Sequence, residues 1–191
     1  MPTEYWILIA GAVAVVALSA LLVVLVWRRR RPEIARVLRG AAIDSAYDVL
    51  VPNGMGGQIH IEHLLLTSKG VVIVDVKGYE GTIFGSDRMD EWTVMTRDKR
   101  RFTFPNPQDT LYDRIAAIRR LVRDIPVSGH VLFSSAADFT KGRPREVILA
   151  HEFVEEYRKP DKAELEQLKE SYIPMWERIK ESLEPANALQ P

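Results

Sequence analysis

Glu62, Asp75 and Lys77 have the types and spacing to hold a divalent cation and to set a positive charge beside it. They lie between Gln58 and Lys77, a stretch that reads as two apolar strands joined by the turn chemistry of Thr67-Ser68-Lys69-Gly70. A loop of either two or four residues gives one register: Leu66 opposite Val71, Leu64 opposite Ile73, Glu62 opposite Asp75 and His60 opposite Lys77, all on one face. Like charges directly opposite each other repel, and the run Val71-Val72-Ile73-Val74 predicts that both faces of the second strand are covered. A cation bound through oxygen ligands offsets that repulsion, and Lys77, two residues beyond Asp75 and so on its face, adds another positive charge. The same three residues also fit a plain ion-pair cluster on a solvated sheet face.

The chain that must position them has 191 residues, 47% hydrophobic and 27% charged, which suits one domain of ordinary size plus additions. It contains no cysteine, so disulfides, thiolate metal sites and a cysteine nucleophile are excluded. Its formal charge is zero but unevenly spread. Arg28 to Arg31 and the span 97–123 are basic, and the span 152–184 is acidic.

From Tyr5 to Trp27 no residue is charged. As a helix that stretch is about 34 Å long against a bilayer core of about 30 Å, which predicts a transmembrane span. Tyr5, Trp6 and Trp27 suit the two interfaces, and Arg28 to Arg31 mark the following side as cytoplasmic. The expectation is a single-pass cell-membrane protein with its N-terminus outside. A cleaved signal peptide fits less well, because the basic residues follow the apolar run instead of preceding it.

Residues 32–40 read as a short helix with Pro32 near its start, Gly40 as its stop and Glu33 as its one carboxylate. A strand near Tyr47 to Val51 and a glycine-rich turn lead into the hairpin. Beyond Lys77, residues 82–85 and 92–96 read as short meander strands, with Trp92 in the core and Arg97 to Arg101 as a charged tip. Asn106-Pro107 opens a helix with an apolar stripe of Leu111, Ile115, Ile118 and Val122 and a basic remainder that includes Arg114, Arg119, Arg120 and Arg123. Strands are expected at 127–134 and 146–150. His130 and His151 have no partner at metal-ligand spacing and read as structural. The span 161–183 is helical in pattern, interrupted at Pro174, and is expected to pack on the domain or on a protein partner.

From about Val49 to about Val154 these residues resemble the nuclease-related domain (NERD) family of the PD-(D/E)xK nuclease superfamily. The family's Q-I-D-H has its counterpart in Gln58 and, after the insertion of His60 and Ile61, in Glu62-His63. Its E-x-K corresponds to Asp75-Val76-Lys77. Both departures are acid for acid, one side chain gaining a methylene and the other losing one. The family's N-P-x-x-Q helix corresponds to Asn106-Pro107, with Thr110 at the glutamine position; Gln108 lies about 200° around the helix from Thr110 and does not replace it.

The resemblance implies an α/β (α+β) fold with a restriction-endonuclease-like mixed β-sheet core flanked by helices, here preceded by the single transmembrane helix. It divides the chain into an anchor at 1–31, a nuclease-like domain at 32–158 and a helical tail at 159–191. The implied activity is hydrolysis of nucleic-acid phosphodiesters with Mg²⁺ or Mn²⁺ held by Glu62 and Asp75. Lys77 would orient the attacking water or stabilise developing charge. Arg114, Arg119, Arg120 and Gln108 become candidate substrate contacts, and Glu33 a candidate helix acid. The altered acids and Thr110 support a second expectation, a membrane-tethered module that keeps the fold and binds nucleic acid or protein without chemistry.

Overall fold

The computed structural model describes residues 34–186 of the chain. The expected membrane span at 5–27 and Glu33 lie outside the described residues, within which no helix is long and apolar enough to cross a membrane. The chain divides into two compact units, the second beginning at Val37, within the helix at 34–41, and the strands and later helices belong to the second.

Residues 34–41 are helical (α1). The succeeding elements are β1 (Asp44–Pro52), β2 (Gln58–Thr67), β3 (Gly70–Lys77), β4 (Gly81–Phe84), β5 (Glu91–Met95), β6 (Arg101–Pro105), α2 (Pro107–Leu121), β7 (Val127–Phe133), β8 (Ala137–Asp138), β9 (Val147–Leu149), α3 (Ala150–Glu156), α4 (Lys162–Glu181) and β10 (Glu184–Pro185). A mixed sheet has the order β10-β1-β2-β3-β7-β9, and a second sheet has the order β6-β5-β4-β8. β1, β2 and β3 pair antiparallel, whereas β3, β7 and β9 run parallel. The fold is therefore mixed α/β, as the family resemblance implies.

β3 is central because it can be buried on both faces: every residue from Gly70 to Asp75 is buried. The hairpin has the expected register, with Leu66 opposite Val71 and Leu64 opposite Ile73. Its turn depends on Gly70, which has φ of +108° and lies so close to Pro126 that an added Cβ would stand 2.3 Å from that carbonyl oxygen. No other residue type adopts that backbone in that space without strain.

α2 is capped by Asn106, whose side chain accepts from Gln108 N at 3.0 Å, and Pro107 occupies the first turn. Leu111, Ile115 and Ile118 are buried on the sheet. Gly129 of β7 lets the helix approach, since a Cβ there would meet Leu111 Cδ1 at 2.8 Å and Ile115 Cδ1 at 2.9 Å. On the opposite face, His130 of β7 meets α3: its Nε2 is 2.6 Å from the hydroxyl of Tyr157, and its ring lies edge-on to Phe153. Trp92 is fully buried, as expected.

α4 differs from expectation in running unbroken through Pro174. The proline removes one backbone donor and frees the carbonyl one turn earlier, at Glu170, an exposed residue whose carbonyl solvent can reach. Trp176 and Ile179 are fully buried and dock the helix, after which Glu184 and Pro185 pair with β1.

Candidate functional site

The β2–β3 ladder runs from Thr67–Gly70 to His63–Val74 and stops one residue short of Glu62 and Asp75. Beyond that point β2 stays with β1 as far as Gln58–Pro52, and β3 stays with β7 as far as Lys77–Phe133. The expected pairings of Glu62 with Asp75 and of His60 with Lys77 are thus not part of the ladder; His60 is paired with Leu50 of β1 instead.

The cause is a slip in side-chain alternation. Ile59 and Ile61 join the core, and then so do Leu64 and Leu66, Leu64 standing three positions after Ile61 where strict alternation requires an even number. β1 slips at the same level, from Ala46 to Val49, across Asp48, whose φ of +51° is left-handed. A non-glycine residue in that region is uncommon and bends the strand locally. Asp48 Oδ1 is held by His60 Nε2 at 2.7 Å.

The split places a charged group at its mouth. Asp75 is buried, its side chain 8% exposed, and Lys77 Nζ lies 3.1 Å from its carboxylate. Arg114, from the middle of α2, brings Nη1 to 3.3 Å from Asp75 Oδ2 and donates from Nε to the His60 carbonyl at 2.8 Å. One guanidinium thereby bridges β3 and the departing β2. Thr110, one turn earlier, donates its hydroxyl to Pro107 O at 3.1 Å and stands 3.5 Å from Arg114 Nη1.

Glu62 sits at the slip with its side chain 52% exposed and Oε1 3.5 Å from His63 Nε2. Its pKa is lowered: the His63 hydrogen bond is the largest cause, burial opposes it, and the charges of His63, Lys77 and His60 assist. Lys77 therefore acts electrostatically on both carboxylates. Glu62 and Asp75 each offer hard oxygen donors, the type Mg²⁺ takes, but the end of the ladder before them leaves the two carboxylates without the pairing expected to set them side by side. Among the described residues no cluster of three or more His, Asp or Glu side chains could hold a metal ion, so an all-protein cage is not offered.

The other candidate contacts make hydrogen bonds within the fold. Gln108 is buried, donates to Asp87 Oδ1 at 3.3 Å and accepts from Glu146 N at 3.3 Å. Arg119 donates to Val127 O at 2.8 Å, and Arg120 donates to Asn53 O. The sequence marks Arg114 as basic but gives no sign that its partner is Asp75. The nearest signal is its place one turn beyond Thr110 on a helix whose apolar stripe must face the sheet.

The model of the nuclease-related domain (NERD) family matches residues 33–134. An uncharacterized protein of Bacillus anthracis is 34% identical over 76 residues, which are 40% of this chain and 35% of that protein. The chain thus spans about a third of the length of the curated relative it matches. No solved structure gives a significant match.

Proposed function

The chain belongs to the nuclease-related domain family, and on that premise we propose that it is a metal-dependent nuclease hydrolysing nucleic-acid phosphodiesters at the mouth of the β2–β3 split. The observation that carries the reading is the meeting of Asp75 and Lys77 at 3.1 Å in that split, with Glu62 in the field of the same lysine. Glu62 and Asp75 would hold Mg²⁺ or Mn²⁺, which supplies a polarised phosphoryl group and a more acidic water. Lys77 would orient the attacking water or stabilise the charge that develops on the phosphate. Arginines of the basic span 97–123 would attract the backbone without reading its sequence.

The apolar stretch 5–27 and the arginines after it support a membrane anchor with the nuclease-like domain on the cytoplasmic side. Protease protection of the domain in sealed vesicles, together with resistance to alkaline extraction, tests that placement. Recovery of the chain in the soluble fraction would overturn it.

A second reading has its own observation. Asp75 is already neutralised by two cations, as expected of a module that keeps the fold, binds nucleic acid or protein, and does no chemistry. Incubation of the chain with single- and double-stranded DNA and RNA, with and without Mg²⁺, separates the two. Mg²⁺-dependent cleavage that disappears in Lys77→Ala supports the nuclease. Metal-independent binding without turnover supports the module.

A further inference from the structure

We propose that the β5–β6 hairpin is a binding arm for single-stranded nucleic acid: Arg97, Lys99 and Arg101 at its tip hold the phosphate backbone, and Phe102 with Tyr79 stacks an unpaired base. The inference rests on the nucleic-acid reading of the site and names the form of the substrate.

The tip is built around a carboxylate that is already committed. Asp98 accepts from the Thr96 hydroxyl and from Arg100 Nε at 2.5 Å. Thr96 N donates to Arg100 O and Lys99 N to Thr96 O, both at 2.9 Å, and Lys99 has a left-handed φ of +60°. The turn therefore uses Asp98 and Arg100 on itself. Arg97, Lys99 and Arg101 are exposed and take part in no ion pair among the described residues. Four cations against one carboxylate leave residues 97–101 at +3. A cluster of that sign attracts a polyanion.

A row of rings runs out of the core toward the tip. Trp92 pairs with Phe104 and Val94 with Phe102, so the four share one face of the hairpin. Trp92, Val94 and Phe104 are buried, whereas Phe102 is 39% exposed. Tyr79 meets both phenylalanines, its ring centroid 5.2 Å from that of Phe102 and 4.5 Å from that of Phe104. Tyr79 is also the second residue after Lys77, where β3 ends, and two residues of chain reach at most about 7 Å. The rings thus join the arm to the candidate site. A duplex hides its base faces in its own stack and a single strand presents them, so rings beside a cationic track fit the single strand. An anionic lipid surface would also draw the cations. The aromatic link back to Lys77 favours the nucleic acid, because it leads a bound strand to the reacting groups.

Fluorescence anisotropy of labelled oligothymidylate with the full chain, in Mg²⁺-free buffer, tests this against a duplex of equal length. Phe102→Leu keeps an apolar contact for Tyr79 but removes the π face. It should weaken single-strand binding about 5- to 150-fold, the range for one stacked base, and leave duplex binding unchanged. Phe102→Trp should retain the affinity of the chain. Arg97→Gln, Lys99→Gln and Arg101→Gln combined should lower the slope of log K against log salt by about 2, at about 0.7 per phosphate contact. Unchanged affinity in Phe102→Leu, or an unchanged slope in the triple variant, overturns the inference. Binding to phosphatidylserine vesicles with none to the strand overturns it as well. Variant-sensitive binding without Mg²⁺-dependent cleavage supports the arm and overturns the nuclease reading. Cleavage of the strand that the arm variants leave intact supports that reading and overturns the arm.

Discussion

The indole Nε1 of Trp176 donates to Asp44 Oδ2 at 2.7 Å and joins the last long helix to the first strand. Lys180 reaches the same oxygen at 3.2 Å, and Ser45 N donates to Oδ1 at 2.8 Å. Trp176 is fully buried, so its N–H has no alternative in water. Asp44→Ala should cost about 1–3 kcal/mol, the usual penalty for leaving a buried donor unpaired. In a chain of this size that is a fall in melting temperature of about 2–4 °C per kcal/mol. Trp176→Phe in the Asp44→Ala background should cost less than the sum of the two single changes. Additive costs in that double-mutant cycle would mean that the bond does not dock the helix.

Asp44 also gives a pH dependence. Burial would raise its pKa, but the bonds from Trp176, Ser45 and Lys180 outweigh it and hold the value below 3.8. The folded state thus favours the ionised form. Its contribution is complete above the unfolded value and is lost as pH falls through the folded one.

Asp75→Asn should be the most damaging isosteric change at the site. It leaves Lys77 and Arg114 facing each other without the carboxylate that neutralises both. The cost should be about 2–3 kcal/mol, below the usual range for a fully buried pair because Lys77 and Arg114 keep some contact with water. Glu62→Gln, at a half-exposed side chain, should cost under about 1 kcal/mol. Denaturant melts of the two variants compare them directly, and equal costs would contradict the site's burial asymmetry.

His130 should make the protein acid-sensitive. Burial pushes its pKa below 6.5, and the nearby charges of Glu156 and Glu146 offset this only in part, with Lys69 opposing them. The unfolded chain therefore takes up a proton first. Stability is intact above about pH 6.5, the unfolded histidine value, and declines from there down to the folded value. Melting temperatures between pH 7.5 and 5 should fall, and His130→Gln, which cannot titrate, should flatten the slope. An unchanged slope would assign the loss to another group.

Gly70→Ala should be nearly incompatible with folding. The added Cβ meets the Pro126 carbonyl at 2.3 Å, and φ is left-handed. The strain alone is about 1–3 kcal/mol and the backbone clash adds to it. Gly129→Ala is milder, because Leu111 and Ile115 meet the new methyl with flexible ends. Its cost is about 1–3 kcal/mol from overpacking. By shifting α2 it should also weaken the Arg114 contact with Asp75. Expression and melting of both variants give the ranking.

The sequence by itself determined the hairpin and its register. Two runs of apolar alternation around a Thr-Ser-Lys-Gly turn permit one pairing, and a slip by a single residue would turn Leu64 and Leu66 out of the core. It also determined α2, through the Asn106 cap, Pro107 and the stripe from Leu111 to Ile118. These are signals carried by neighbours in the chain. Tertiary structure alone decided where the pairing ends, because Asp48 and Glu62 shift phase together on two strands and no single strand's pattern contains both. It also decided that Arg114 holds Asp75. Those residues are 39 positions apart, and helical periodicity fixes only which face of α2 meets the sheet. Which strand lies beneath each turn follows from how closely the helix packs at Gly129 and from the split that leaves a carboxylate for the guanidinium to reach.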